Sequence, residues 1–273
     1  MTTTNKMSKT TICSTCGTQL LAEPEIPSFC PICTDDRQYI PESGQQWTLP
    51  NELEHCNIKI TQLNEHVYAL KIQPDFAIAQ RALLLISPGG NILWDCIPYL
   101  DKPTIDFIRS KGGLKAIAFS HPHYYSNMND WATEFNCPIY IHQNDAEWVP
   151  FIIPHVKLWS GDSLQLWDGL SIVHIGGHFA GSCVLHITGI TPNGTLLCGD
   201  TFNIARSKRH MAIMYSYPNI ILLTKDEFAK AYQKASRLNF DTVYGAFENQ
   251  DIEGNAMEIF KASMQRYKDG YGL

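Results

Sequence analysis

Residues 116–127 (Ala-Ile-Ala-Phe-Ser-His-Pro-His-Tyr-Tyr-Ser-Asn) constrain this chain more than any other stretch. The apolar run 116–119 reads as a buried strand, and it leads straight into His121 and His123. In an extended or turning segment, residues i and i+2 point the same way, so both imidazoles can face one point. Such a pair at the C-terminal end of a strand is a metal-site arrangement. The plainer reading is two chance histidines in a solvated loop. Two later turns favour the metal. Gly176-Gly177-His178 follows a strand directly, and its glycines allow a sharp turn that presents His178 at a sheet edge. Leu196-Leu197-Cys198-Gly199-Asp200 is another strand, ending in a carboxylate. Three imidazoles and one carboxylate therefore sit at strand C-termini, where layered α/β proteins build their sites.

The nine cysteines divide into two groups. Four lie within residues 13–33 as Cys13-x2-Cys16 and Cys30-x2-Cys33, with thirteen residues between the pairs. They look like the two knuckles of a zinc ribbon. Four thiolates at this spacing close a tetrahedral site with no open position, so its role is structural. Zinc binding worth about 10–16 kcal/mol in small peptides is enough to fold so short a segment. The competing reading is a redox or chance pairing of thiols. The ribbon's task does not follow from its ligands: capping the main domain, holding a dimer and docking a partner all fit. The other five, Cys56, Cys96, Cys137, Cys183 and Cys198, form no secreted disulfide framework and are expected to pack as small apolar residues.

A chain of 273 residues, 44% of them hydrophobic, can bury a full core in one large domain with a small appendage. Its net charge of −6 offers no field to hold a phosphate backbone, so nucleic-acid binding is disfavoured. No apolar run approaches the roughly 18 residues of a membrane span. Residues 1–11 are polar and lack the apolar core of a signal peptide, which makes a cytoplasmic protein the expectation.

Residues 41–50 read as a linker, which predicts a four-cysteine, zinc-ribbon-like segment over 1–45 and a main domain over 46–273. Paired strands are expected at 58–63 with 67–72, at 82–86 with 91–95, and at 183–188 with 195–198. Further strands fall at 116–119, 138–141, 156–159, 164–167, 170–175 and 242–244. Helices are expected at 104–110, after the start signal Asp101-Lys102-Pro103, and at 127–135, 144–148, 226–238 and 252–267. Hairpins interleaved with helices predict layered mixed sheets with helices outside.

With these motifs in this order, the sequence resembles the metallo-β-lactamase fold superfamily over about residues 55–270. His121-x-His123 matches the start of that family's H-x-H-x-D-H motif. His178, in Gly-Gly-His-Phe-Ala-Gly-Ser, matches its third histidine, and Asp200 matches the carboxylate that bridges two metals. Asp95 matches an earlier structural aspartate. The resemblance implies an α+β fold, an αββα four-layer sandwich, here with a small N-terminal zinc ribbon. It also implies metal-dependent hydrolysis. The departures bear on function. The motif's aspartate and second histidine fall at Tyr125 and Ser126, and no histidine occurs after His210. The late strand is followed by Ala246 and Phe247 instead. Only Asp200 would remain for a second metal, too few ligands for zinc.

The expected centre is therefore mononuclear: His121, His123 and His178, with Asp200 as fourth ligand or water-mediated partner. A metal-bound water is the expected nucleophile and Asp200 the substitute base. Tyr125, if it points inward, would donate to a developing oxyanion; packing as a plain aromatic is the alternative. The leading reading is a zinc hydrolase acting on a small-molecule ester, thioester or amide. The alternatives are a mononuclear iron dioxygenase of the persulfide dioxygenase type, using His121, His178 and Asp200, and a non-catalytic metal-binding protein. Arg206, Lys208, Arg209 and His210 could receive an anionic substrate group or form a solvated loop. His142 is expected near the site without ligating. His174 and His186 are expected to be satisfied strand residues. Tyr215 and Tyr217 would wall the pocket or simply pack. A homo-oligomer is compatible with the sequence.

Overall fold

Alternation along the strands sorts the apolar side chains into layers. Leu83 and Leu85 face one side of their strand and enter the core between two sheets, with Val67, Ala69, Ile92, Trp94, Leu185 and Leu197. Ala82 and Leu84 face the other side and meet Ile108, Met128, Trp131 and Ala132 beneath two helices. The second sheet does the same. Val184, Leu196 and Val243 turn outward onto Phe228, Ala231, Phe260 and Met264.

The computed structural model describes residues 10–23 and 25–273, so residues 1–9 of the polar N-terminal stretch lie outside the described residues. The first sheet has seven strands. From edge to edge they are Val156–Trp159, Ile139–His142, Ala116–Ala118, Ile92–Trp94, Arg81–Leu85, Val67–Gln73 and Asn57–Gln62. The second has six: Ser163–Gln165, Leu170–His174, Cys183–Ile187, Thr195–Gly199, Thr242–Gly245 and Asp251–Ile252. Helices α1 (Lys102–Ser110) and α2 (Met128–Phe135) cover the first sheet. Helices α3 (Lys225–Ala235) and α4 (Ala256–Tyr271) cover the second. The expected αββα sandwich is what forms. No helix among the described residues is long and apolar enough to cross a membrane.

Local chemistry explains the helix starts. Asp101 accepts from Thr104 N at 2.9 Å, capping α1. Thr224 and Glu227 form a reciprocal capping box on α3. In α4 the buried positions Ala256, Phe260, Ser263 and Met264 follow helical spacing.

The structure moves several boundaries. The helix expected over 226–238 is Lys225–Ala235, and the one expected over 104–110 starts at Lys102. The strand expected over 164–167 is Ser163–Gln165, and the helix expected over 144–148 is a 3-10 helix, Gln143–Trp148. The closing helix expected from residue 252 begins at Ala256, and Asp251–Ile252 is instead an edge strand pairing with Val243 and Tyr244. Gly254 and Asn255 adopt positive φ (67° and 59°) and turn the chain sharply between the two elements. An ion pair from buried Arg81 to Asp251 secures the strand. A short hairpin after the site carboxylate, Asn203–Ile204 with Met211–Ala212, was also not expected from the sequence.

The four-cysteine segment forms a three-stranded sheet ordered Gln19–Leu21, Thr10–Cys13, Trp47–Thr48. It lies against the sandwich, with Ile12 packing on Leu53, Cys56 and Ile72. The sheet runs to Thr48, past the start of the linker read at 41–50.

Candidate metal centre

The strand Ala116–Ala118 lies in the middle of the first sheet, so its end is fixed on both sides. His121 continues extended (φ −172°, ψ 172°), and a single turn of 3-10 helix, Pro122–Tyr124, brings His123 back beside it. From the second sheet, Gly176 and Gly177 with φ of 78° and 85° make the turn that delivers His178. Gly199, with φ of 52°, delivers Asp200. A Cβ on Gly199 would collide with Ser120 Oγ, so only glycine allows the two strand ends to meet.

The ring of His121 lies 4.9 Å from that of His123 and 4.7 Å from that of His178, centroid to centroid. One ligand atom from each of His121, His123, His178 and Asp200 falls within 4.8 Å of all the others. His121 Nε2 and Asp200 Oδ2 are 3.6 Å apart. The three imidazoles are 0–2% exposed and Asp200 is 8% exposed.

Hydrogen bonds on the far side of two of the three rings, His121 and His178, set their tautomers. Asp95 accepts from Ser120 N at 2.7 Å and from Ser120 Oγ at 2.9 Å. That hydroxyl oxygen lies 2.9 Å from His121 Nδ1. With its proton on Asp95, the serine accepts from Nδ1–H and leaves a lone pair on His121 Nε2. His178 Nδ1 donates to Tyr215 O at 2.7 Å, with the same result. The Nε2 atoms of all three histidines, and Asp200 Oδ1, are buried without a hydrogen-bond partner. A buried polar atom left unpaired costs about 1–3 kcal/mol, so three unpaired imidazole nitrogens gathered beside a carboxylate fit a shared cation. A cation bound by the three nitrogens, with Asp200 as fourth ligand or as a partner through water, satisfies them.

Burial shapes the charges. It holds His121 and His123 well below the ordinary imidazole range, and lowers His178 to about 4 against the bond to Tyr215 O. All three rings are thus neutral at pH 7, as ligands must be. Burial raises Asp200 to about 6, opposed by the nearby Tyr124 hydroxyl, and raises Asp95 to about 8.

The structure takes Tyr125 away from this point. Its ring packs on Phe119 with 5.0 Å between centroids, and its hydroxyl points to Asp145 O at 3.5 Å, under the first helical layer. Its neighbour Tyr124 lies at the centre instead, with its ring 4.4 Å from that of His121 and a buried hydroxyl turned towards Asp200. Ser126 serves the framework: Gln80 Nε2 donates to its Oγ at 3.1 Å. Ala246 is buried, and its carbonyl accepts from Arg81 N at 2.8 Å. The three positions that depart from the family motif are therefore filled by packing and hydrogen bonds.

Other expectations sort as follows. His142 stacks on His174, centroids 3.9 Å apart, outside the ligand set. His174 donates to Ala180 O at 2.8 Å, and His186 has Asn239 O at 2.8 Å. Arg206, Lys208, Arg209 and His210 are exposed at the tip of the added hairpin. The cleft beside Lys208 and Arg209 is walled by Asp251, Glu253 and Ile259, not by the ligand residues. Tyr217 sits 5.4 Å from the His178 ring.

The four N-terminal cysteines converge as expected. Cys13 and Cys33 sulfurs are 3.6 Å apart, Cys16 and Cys30 3.5 Å, and all nine cysteines are free thiols. Thiolates around zinc at about 2.3 Å stand only slightly farther apart than this. The five scattered cysteines are all buried. Sequence reasoning missed Arg37, four residues past Cys33. Its Nε donates to the backbone carbonyl of His178 at 2.6 Å. It also missed Ser120, whose place directly before His121 was the available signal.

These features define a protein of metallo-β-lactamase fold with a histidine–aspartate group able to hold a metal and a separate group of four cysteines. Solved structures agree on the fold. The DIM-1 metallo-β-lactamase is 14% identical with a TM-score of 0.56, over 77% of this chain and 98% of that one. VMB-1 at pH 5.5 gives 14% and 0.57, again over 77% and 98%. The class B3 di-zinc metallo-β-lactamase LRA-12, from an Alaskan soil metagenome, gives 15% and 0.51 over 78% and 93%. At these identities the likeness concerns the fold alone. No family model matches the chain. The chain belongs to the family of the uncharacterized protein YmaE of Bacillus subtilis (strain 168), to which it is 43% identical over 260 residues, 94% of each chain.

Proposed function

We propose that the chain is a metal-dependent hydrolase in which His121, His123 and His178 hold a single zinc ion, with Asp200 beside it as a water-mediated partner, so that one position stays open for water. Its substrate is a small-molecule ester, thioester or amide. The observation that carries this reading is three buried imidazole nitrogens without a hydrogen-bond partner, in a group with Asp200 whose ligand atoms all lie within 4.8 Å of one another. Tyr125, Ser126 and Ala246, where a second metal would need ligands, favour one ion over two. A second, structural zinc belongs to Cys13, Cys16, Cys30 and Cys33.

When bound, the metal would polarise a carbonyl and bring a coordinated water's pKa towards neutrality. The protein's own groups divide the remaining work. Asp200 is the least buried of the four, with its side chain 11% exposed against 0% for His121, so substrate arrives from its side. It is the one carboxylate in the group, so it is the residue placed to take a proton from a bound water. Tyr124 takes over the role expected of Tyr125. Burial keeps its hydroxyl protonated, and that hydroxyl faces Asp200, which places its proton at the centre where an oxyanion would develop.

The test is a screen of ester, thioester and amide substrates with zinc-loaded protein, beside His178→Ala. The expectation is turnover in at least one class that a chelator removes and the variant lacks. Zinc-loaded wild type inert towards all three classes would overturn the hydrolase reading. Iron in place of zinc at the histidine centre would turn it towards an oxygenase.

A further inference from the structure

Among the described residues, Arg37 joins the four-cysteine segment to the metal centre. Arg37 Nε donates to the backbone carbonyl of His178 at 2.6 Å. Its guanidinium carbon lies 4.3 Å from the centre of the Phe179 ring and 4.2 Å from that of Tyr215. Tyr215 is the residue whose carbonyl accepts from His178 Nδ1. One guanidinium therefore braces His178 twice, at its own backbone and through the residue that orients its ring. Arg37 is itself fixed, because Asp35 accepts from Nη1 with both carboxylate oxygens, at 2.8 and 3.0 Å.

Around it the segment is stitched to the same loop. Ser216 Oγ donates to Arg37 O at 3.3 Å. Asn219 Nδ2 donates to Asp36 O at 2.7 Å and to Gln38 O at 3.0 Å. On the other half of the sandwich, Gln19 N donates to Ser126 O at 3.0 Å, and Gln19 Nε2 donates to Asp130 at 2.8 Å. Trp148 joins the two groups by packing on the cysteine cluster and edge-on to Phe179, 5.5 Å between centroids.

We propose that Arg37 is a positioning residue that couples the four-cysteine segment to the His178 ligand, so that metal held by the cysteines strengthens metal binding at the histidine site. This rests on the reading that His121, His123 and His178, with Asp200 beside them, bind a metal. The Coulomb term has the opposite sign, which makes the idea decidable. A fixed cation beside a metal ion repels it, so losing the charge alone would tighten binding. Losing the brace weakens it, by the 10–100-fold typical of groups that orient metal ligands.

The experiment is Co2+ titration of the full apo-chain. Thiolate charge-transfer absorption reports the cysteine group, and ligand-field bands report the histidine group. Arg37→Lys keeps the charge but loses the planar stack and the Nε donor. Arg37→Ala loses all three. Both are expected to fill the cysteine group as wild type does, while the histidine site needs about 10–100-fold more Co2+ and its ligand-field envelope changes shape. Cys33→Ser, in the knuckle that carries Arg37, should weaken the histidine site in the same direction. Should Arg37→Ala fail to fold, Arg37→Lys decides. Unchanged or tighter histidine-site binding in folded Arg37→Lys overturns the positioning role, and unchanged binding in folded Cys33→Ser overturns the coupling. Wild type that shows thiolate bands only would instead sink the metal reading of the histidine centre.

Discussion

At the scale of single residues, the centre depends on groups that never touch the metal position. Ser120 is the clearest case. Its hydroxyl stands between Asp95 and His121, and removing it leaves a fully buried carboxyl and an imidazole N–H with one partner fewer each. Ser120→Ala is expected to lower zinc affinity at the histidine site by about 10–100-fold, read by chelator competition, with the four-cysteine site unchanged. An unchanged affinity would mean that Asp95 does not act through Ser120. A second residue ties pH to stability. Burial lowers His174 to about 4, and Lys234 Nζ lies 2.9 Å from its Nδ1. The unfolded chain protonates this imidazole near its ordinary value while the folded protein does not, so stability is full above about pH 6.5 and is lost as pH falls towards 4. His174→Gln should flatten that decline by about 1–2 kcal/mol, a figure reduced for partial exposure, in denaturant melts at pH 7 and pH 4.5. A variant whose profile tracks wild type would show that His174 is not what titrates. Of these residues, the ligands were legible because metal chemistry leaves few residue types to choose from. Tyr124 was not, because two adjacent tyrosines look alike until a turn of 3-10 helix decides which one faces the histidines.

At the scale of elements, strand ends do the positioning, and glycines let them approach. Gly199→Ala would drive a methyl group into Ser120 Oγ at a φ of 52°, combining overpacking with backbone strain. The expected cost is about 2–4 kcal/mol of unfolding free energy by urea titration, with loss of histidine-site metal. Gly270→Ala is the matched control. It lies within α4, and a Cβ there meets nothing within 4 Å, so it should gain up to about 1 kcal/mol from helix propensity. Equal effects at the two positions would refute the argument from close approach. Hydrophobic period and turn residues made most strands and helices readable in the sequence. They failed at Asp251–Ile252, two residues long, where the pairing depends on Arg81 from the other sheet. A partner about 170 positions away leaves no local signal.

At the scale of the whole molecule, two sheets share one core and meet at one edge, and the four-cysteine segment spans that edge. The motif order made the sandwich recognisable, because histidines and a carboxylate at successive strand ends require those ends to converge. Where the cysteine segment would lie was not recognisable. Its cysteines specify their own closure and say nothing of what surrounds them, and its links to the sandwich run through Gln19, Arg37 and backbone carbonyls, which carry no motif. The central claim is that this assembly holds one ion at the histidine centre and one at the cysteines. Metal content per chain, measured by elemental analysis on wild type and on the double variant His121→Ala/His178→Ala, tests it most directly. The prediction is two metal ions in wild type and one, the zinc held by the cysteines, in the variant. Three ions in wild type, or no loss in the double variant, would contradict it.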